Sequence, residues 1–287
     1  MRHNKFGATG VHVPVIGQGT WKYDQAAPGD VTKVLRTGIE VGMTHIDTAE
    51  MYGSGKVEEL VGRALEGHRD EVFLASKVLA YNANYEGTIR ACEESLRRLR
   101  TDRLDMYMLH WPGRFSLART LDAFRKLQND GKILHFGVSN FDVRHLEKLD
   151  LVAAPGEIAC NQVWYSLRHR SAVEDRIARA CADRGISLVA YSPLESGKRP
   201  GARRSVEALD QIAAKHQATR HQIALAFLLS HSADFVIPRS ADVSHTRVNG
   251  AAGGIKLSKA ETAVIDRAFP VQLPAPRSLP ITTDPWF

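Results

Sequence analysis

The run His45–Gly55, HIDTAEMYGSG, begins as an apolar strand end and turns polar within a few residues. Ile46 follows Met43 and Thr44, Asp47 and Tyr52 come next, and the segment breaks on Gly53 and Gly55. A strand that finishes by presenting a carboxylate and a phenol at a loop fits α/β architectures whose strand C-termini carry the chemistry.

The same design recurs along the chain. Short β-rich runs occupy residues 15–20 (VIGQGT), 44–49 (THIDTA), 71–77 (EVFLASK), 104–110 (LDMYMLH), 133–140 (ILHFGVSN), 158–164 (IACNQVW), 187–193 (SLVAYSP) and 235–240 (FVIPRS). Helical stripes lie between them: Val57, Leu60, Val61 and Ala64; Ile89, Cys92, Leu96 and Leu99; Leu117, Leu121, Phe124 and Leu127; Val173, Ile177 and Cys181. Eight strands alternating with helices predict a (β/α)8 TIM barrel, α/β in class, forming a single domain over 1–287. A doubly wound sheet is the rival, and the motifs weigh against it. GQGTWK at residues 17–22 has Lys22 where a dinucleotide fingerprint needs its third glycine. The opening KFGATGVHVPVIG reads as a short β-hairpin capping the barrel floor. The proline-rich tail, QLPAPRSLPITTDPWF, reads as a C-terminal loop over the active-site face.

Composition narrows the function classes. Of 287 residues, 44% are hydrophobic and 24% charged, as in soluble globular proteins. No opening run reads as a signal peptide, and the longest apolar run, Ile223–Leu229, is far short of a membrane span. Three cysteines, Cys92, Cys160 and Cys181, read as reduced core residues, and the expected location is cytoplasmic. The formal charge of +6 is dispersed except for RRLRTDR from Arg97 and RHR from Arg168, which read as solvated helix faces and C-termini. Without interleaved aromatics they make no nucleic-acid surface, although a positive field favours an anionic ligand such as a nucleotide. No HExxH or paired CxxC suggests a metal, and no GxSxG suggests a hydrolase.

Polar residues gather at the strand ends: Asp47, Lys77, His110, Ser139 with Asn140, Gln162, Ser192, and Arg239 with Ser240. In a barrel these ends converge on one rim. Taken singly, Asp47 can cap a helix, Lys77 can be a surface lysine, His110 a core histidine and Tyr52 a packed ring. Together they describe a tuned acid. A free phenol near pKa 10 is a poor donor, a nearby ammonium should lower that value, a carboxylate should keep the lysine charged, and a histidine can orient a carbonyl oxygen.

At this point the chain resembles the aldo-keto reductases, along essentially its whole length. The resemblance is carried by GTW at Gly19, IDTAEMYG at Ile46, SK at Ser76, LHWP at Leu109, GVSNF at Gly137, NQVWYSL at Asn161, AYSPL at Ala190 and IPRS at Ile237. It is strongest to bacterial members that reduce methylglyoxal. The resemblance implies a catalytic tetrad of Asp47, Tyr52, Lys77 and His110, with Tyr52 as acid/base. It implies that Ser139, Asn140 and Gln162 hold the nicotinamide carboxamide and that the ring stacks on Tyr165. Ser192, Leu194 and Ser196 would lie along the pyrophosphate, and Pro238, Arg239, Ser240 and His245 at the adenosine 2′-phosphate. Asn249 would meet the adenine, while Thr20, Trp21 and Asp47 complete the cofactor contacts. Trp21, Tyr52, His110 and Trp111 would line the substrate pocket, with Trp286 of the tail closing it. Val248 and His245 depart from the common pattern, yet Arg239 offers a permanent planar donor for a phosphate, so NADPH/NADP+ is expected over NADH.

The expected activity is therefore NADPH-dependent reduction of a small carbonyl substrate by a monomer or weak oligomer. The alternatives are an NAD(P)-dependent alcohol or sugar dehydrogenase, a Schiff-base enzyme using Lys77, and an NADPH-holding regulatory module.

Overall fold

The structure, a computed structural model, describes residues 1–195, 202–273 and 275. The tail beyond, with Trp286, and Ser196 lie outside the described residues. An antiparallel hairpin, β1 (His3–Lys5) and β2 (His12–Pro14), comes first. Eight parallel strands follow, paired in chain order: β3 (Gln18–Gly19), β4 (His45–Asp47), β5 (Phe73–Val78), β6 (Leu104–Leu109), β7 (Ile133–Ser139), β8 (Ile158–Trp164), β9 (Ser187–Tyr191) and β10 (Phe235–Ile237). Each lies within one of the eight β-rich runs, or extends one residue past it.

The ring closes where the first strand meets the last. Val236 N donates to the Val15 carbonyl (2.9 Å), Gly17 N to the Val236 carbonyl (2.9 Å) and Gly19 N to the Pro238 carbonyl (3.2 Å). Two glycines permit this approach. A Cβ on Gly17 would come within 3.0 Å of the Ile237 Cγ2 atom, and one on Gly19 within 2.8 Å of the Ile237 carbonyl oxygen.

Strand alternation sorts the apolar residues into two cores. Phe73, Ala75, Met106, Met108, Val189 and Ile237 form the inner cluster. Their neighbours Leu74, Tyr107, Leu188 and Val236 belong to the outer one, packed beneath the helices. On the outside, α1 (Pro28–Glu40), α2 (Lys56–Ala64), α3 (Tyr85–Leu99), α4 (Leu117–Asn129), α5 (Val143–Leu149) and α6 (Ala178–Ala182) each follow one strand. After β9 come α7 (Arg203–Lys215) and α8 (Arg220–His231), and after β10 come α9 (Val243–Ala251) and α10 (Lys259–Ala268). All three cysteines are buried. Burial pushes the thiols of Cys92 and Cys181 up to about 12, and that of Cys160 higher still, so none is an activated nucleophile.

Two expectations need correction. The stripe Val173, Ile177 and Cys181 is not one regular helix but a π-helical turn, Val173–Ile177, running into α6. The wider turn lets Glu174 accept hydrogen bonds from both the Tyr165 hydroxyl and the Arg170 guanidinium (2.8 Å to Nε). Nor are the arginine runs merely solvated. Arg170 is 3% exposed and joins Glu174 to Asp266 of α10. Arg98 Nε donates at 2.7 Å to Glu58, a fully buried carboxylate that also accepts from Ser76 at 2.6 Å. A buried carboxylate demands such partners, and the tertiary fold found them among the arginines.

The hairpin delivers Phe6 into the barrel floor, where its ring lies 4.9 Å from Phe73, 4.8 Å from Phe235 and 5.8 Å from His45. His45 is 1% exposed among these rings, and its Nδ1 has no hydrogen-bond partner. Burial therefore lowers its pKa from 6.5 to about 4. The folded chain keeps this imidazole neutral where the unfolded chain protonates it. Its contribution is complete above pH 6.5 and is lost as pH falls toward 4, on the order of 3 kcal/mol in all. Urea midpoints measured from pH 7 to pH 4 should fall over that window, and His45→Leu should show a shallower slope. An unchanged slope would contradict the account.

Candidate active site

The parity that sorts the cores also points Asp47 and Lys77 inward at the C-terminal rim. Strand β4 pairs with β5 so that Asp47 lies opposite Ala75, and Lys77 follows two residues further on the same inward face. Lys77 is fully buried. Its Nζ donates to Asp47 Oδ1 (2.6 Å), to the Thr48 carbonyl (2.8 Å) and to Tyr52 Oη (3.4 Å). The other Asp47 oxygen accepts from Gln162 Nε2 at 2.7 Å. His110, just past β6, sets its ring edge-on to Tyr52 at 5.9 Å, with Trp111 behind it at 4.5 Å. The four residues singled out from the strand ends and the loop after β4 thus meet at one point. Lys77 Nζ is enclosed behind Asp47 and Tyr52 and does not line the cleft, which speaks against a Schiff base at that amine.

The electrostatics differ from expectation in one respect. The sequence pattern predicts a Tyr52 phenol lowered by Lys77. Burial and the Asp47 charge instead raise it well above 10. The ammonium is committed to Asp47 at short range, so Tyr52 faces an ion pair of no net charge across a long 3.4 Å contact. Burial also lowers the Lys77 pKa, with Asp47 opposing that shift.

A cleft of about 570 Å³ opens from this cluster. Thr20, Trp21, Asp47, Tyr52, His110, Trp111, Asn140 and Gln162 line one end. Ser192 and Leu194 line it further along, as do Pro238, Arg239, Ser240, His245 and Asn249. Arg239 is exposed, its guanidinium 5.5 Å from the Tyr23 ring, while Asn249 is buried. Arg247 does not line the cleft and pairs with Glu40 of α1 at 3.1 Å.

Ser139 and Tyr165 do not reach the cleft. The Ser139 hydroxyl is buried and donates to the Gln162 carbonyl at 2.8 Å, a brace rather than a contact surface. Tyr165 is fully buried in the outer core. It stands one residue beyond Trp164 and shares the outward parity of Val163, so its ring cannot be the one on which a ligand in the cleft stacks. Tyr191 lines the cleft instead, and its hydroxyl donates to Asn140 Oδ1 at 3.0 Å. Period-two counting would have found it, because Val189 and Tyr191 share one face of β9 and Leu188 and Ala190 the other. Met51, inside the IDTAEMYG run, also lines the cleft, as do Thr219 and His221, which carry no motif signal. Among the described residues no group of three or more His, Cys, Asp or Glu could hold a metal, and no helix is long and apolar enough to cross a membrane.

Comparison with known proteins adds to this geometry. A model of the aldo/keto reductase family matches residues 15–269. Methylglyoxal reductase YeaE of Escherichia coli K12 is 41% identical over 91% of this chain and 92% of its own. Glyoxal reductase of Bacillus subtilis 168 is 36% identical over 90% and 89%. The crystal structure of an aldo-keto reductase from Klebsiella pneumoniae in complex with NADPH is 38% identical, with a TM-score of 0.91 over 98% of this chain and 100% of that one.

Burial, reinforced by the Lys77 charge, holds the His110 imidazole well below its ordinary 6.5. Histidine NMR on the free protein should place the His110 titration well below that of an ordinary histidine. Lys77→Met should move its titration upward by removing one of the two causes. A wild-type His110 midpoint near 6.5 would contradict the enclosed, neutral ring.

Proposed function

Since the chain belongs to the aldo/keto reductase family, we propose that it reduces small aldehydes and ketones with NADPH, with 2-oxoaldehydes such as methylglyoxal among its substrates. We also propose that residues 1–287 form one functional unit. The observation that carries the mechanism is the Lys77 ammonium shared between Asp47 and Tyr52 beneath a cleft of about 570 Å³ that also carries Arg239 and Asn249.

The residues present fit the cofactor. One end of the cleft holds proton-transfer groups and two carboxamides, Asn140 and Gln162, and the other holds the permanent cation Arg239. An Arg at the loop after the last barrel strand is where barrels commonly receive phosphate. NADPH, when bound, supplies the hydride that the carbonyl carbon accepts.

The chain's own residues handle the oxygen. A neutral His110 can donate one hydrogen bond to the carbonyl and so place its oxygen toward Tyr52. Tyr52 gives its proton to that oxygen as charge develops there, and becomes tyrosinate. Lys77, 3.4 Å from the phenol oxygen, is placed to steady that anion as it forms. Asp47 keeps the ammonium charged in a site that otherwise disfavours it. Trp21 and Trp111 give the entrance apolar walls suited to a small carbonyl. The methylglyoxal and glyoxal reductases among the relatives support 2-oxoaldehydes as the first substrates to test.

Tyr52→Phe keeps the ring and removes the donor. Its kcat for methylglyoxal reduction should fall by about 10²–10⁴-fold, the usual share of general acid catalysis. Its NADPH dissociation constant, read by fluorescence titration, should stay close to wild type. Near-native kcat with intact NADPH binding would remove Tyr52 from the mechanism.

The raised phenol also makes the two directions differ with pH. Below its pKa Tyr52 is loaded for reduction, so the rate of the chemical step should be flat from about pH 6 to 9. Alcohol oxidation needs tyrosinate and should still be climbing at the alkaline limit of stability. Deuterated cofactor would show that hydride transfer is being observed. Coincident profiles in the two directions would count against a shared acid/base of raised pKa.

A further inference from the structure

Two histidines face the Arg239 end of the cleft from different helices. His245 lies in the first turn of α9 and His221 in the first turn of α8, and both line the same space as Arg239, Ser240 and Asn249. Both residues are exposed on the cleft rim, and among the described residues neither pairs with a carboxylate. Of the nearby acids, Asp242 interacts electrostatically with His245, and the others are engaged elsewhere. Asp242 caps α9 by accepting from His245 N (3.0 Å) and the Ser244 hydroxyl. Asp210 of α7 pairs with Arg220 at 2.9 Å. Glu195, on the loop after β9, takes the Ser166 hydroxyl (2.6 Å) and pairs with His169 at 3.1 Å and with Arg168 at 3.6 Å. Glu40 of α1 holds Arg247 away from the cleft. Against His221 itself stand Arg220 on its own helix and His245 across the gap. This end of the cleft thus combines one permanent cation with two imidazoles.

Given the reading that Arg239 meets the adenosine 2′-phosphate, we infer that His221 and His245 complete the grip on that phosphate, taking up a proton as it binds and thereby making the preference for NADPH over NADH depend on pH. In the free protein, partial shielding of the ring, Arg220 and His245 hold His221 below its ordinary 6.5. Its positive charge is therefore disfavoured in the free protein, and an anion beside it works in the opposite direction. A phosphate supplies the negative charge that a second imidazolium needs, so phosphate and proton bind together. NADH brings no such charge and should bind without a proton. The preference for NADPH should then shrink as pH rises, roughly tenfold for each imidazolium–phosphate hydrogen bond that deprotonation removes. The phosphate's own titration, near pH 6, acts in the opposite sense by strengthening the anion as pH rises, so the two effects can be told apart.

Isothermal titration calorimetry at pH 7.5, in two buffers of different ionisation enthalpy, counts the protons that accompany binding. Wild type should take up a measurable fraction of a proton with NADPH and none with NADH. His221→Gln should lose its share of that uptake, and NADH binding will show that the variant is folded. His245→Arg, whose charge does not titrate, should keep NADPH tight at pH 8.5, where wild type has weakened. Uptake equal for the two cofactors, or unchanged in His221→Gln, would overturn the role of the histidines. Arg239→Ala separates the two levels. If it weakens NADPH selectively while wild type shows no uptake, only the histidine role falls. If it weakens both cofactors equally, and wild type does not prefer NADPH at any pH, the phosphate assignment falls and the histidine role with it.

Discussion

The contact between Lys77 and Asp47, 2.6 Å long and closed off from solvent, is the constraint around which the barrel mouth is arranged. Two charges taken out of water cost several kcal/mol each unless every donor and lone pair is used. Here the ammonium spends its three donors on Asp47, the Thr48 carbonyl and Tyr52, and the second carboxylate oxygen takes the Gln162 amide. Gln162 comes from β8, on the far side of the ring, so satisfying the pair ties strands that never touch. The adjacent residue, Ser76, faces outward and binds Glu58, which Arg98 neutralises. Strand β5 is thereby held at consecutive positions, by the buried Lys77–Asp47 pair on its inner face and by the Ser76 hydrogen bond to Glu58 on its outer face.

The loops that follow the strands bear the conformational cost of this rim. Lys22 (φ 64°), Ser54 (φ 51°), Asn140 (φ 61°), Ser192 (φ 48°) and Glu195 (φ 51°) all adopt the left-handed region without being glycine. Each such residue costs about 1–2 kcal/mol. They follow β3, β4, β7 and β9, whereas the remaining two, Arg100 and Gln217, merely end helices. Strain of this kind persists only where surrounding contacts over-determine it. At Asn140 those contacts are visible: its amide donates to the His110 carbonyl and the Ser139 hydroxyl, and its oxygen accepts from Tyr191. The same bonds connect the wall of the cleft to the backbone beside His110.

Much of this was readable in the amino-acid order. The eight strands, the hairpin and the rim positions of Asp47, Lys77 and His110 follow from short β-rich runs that end in polar residues, and such patterns are local. Tyr165 shows where motif matching outran that logic. It sits in a run resembling a family motif, but counting faces along β8 places it outside the ring, and the same counting along β9 selects Tyr191. The arginine runs show the reverse limit. Nothing near Arg98 or Arg170 in the chain announces that Glu58, Asp266 or the Phe269 carbonyl will be their partners, because those partners are distant in sequence.

The sequence by itself determined the order of strands and helices, the closure of a barrel and the residue types delivered to its mouth, since periodicity and parity are properties of a few neighbouring residues. Only the tertiary structure decided how those residues behave. Whether Lys77 lowers the Tyr52 pKa or leaves it high depends on which of Asp47 and Tyr52 lies closer to the ammonium, and on how much water burial removes. Whether Ser139 meets a ligand or braces Gln162 depends on a strand twenty-three residues away. Desolvation and Coulomb energy vary with distances through space, and the chain sets those only by folding.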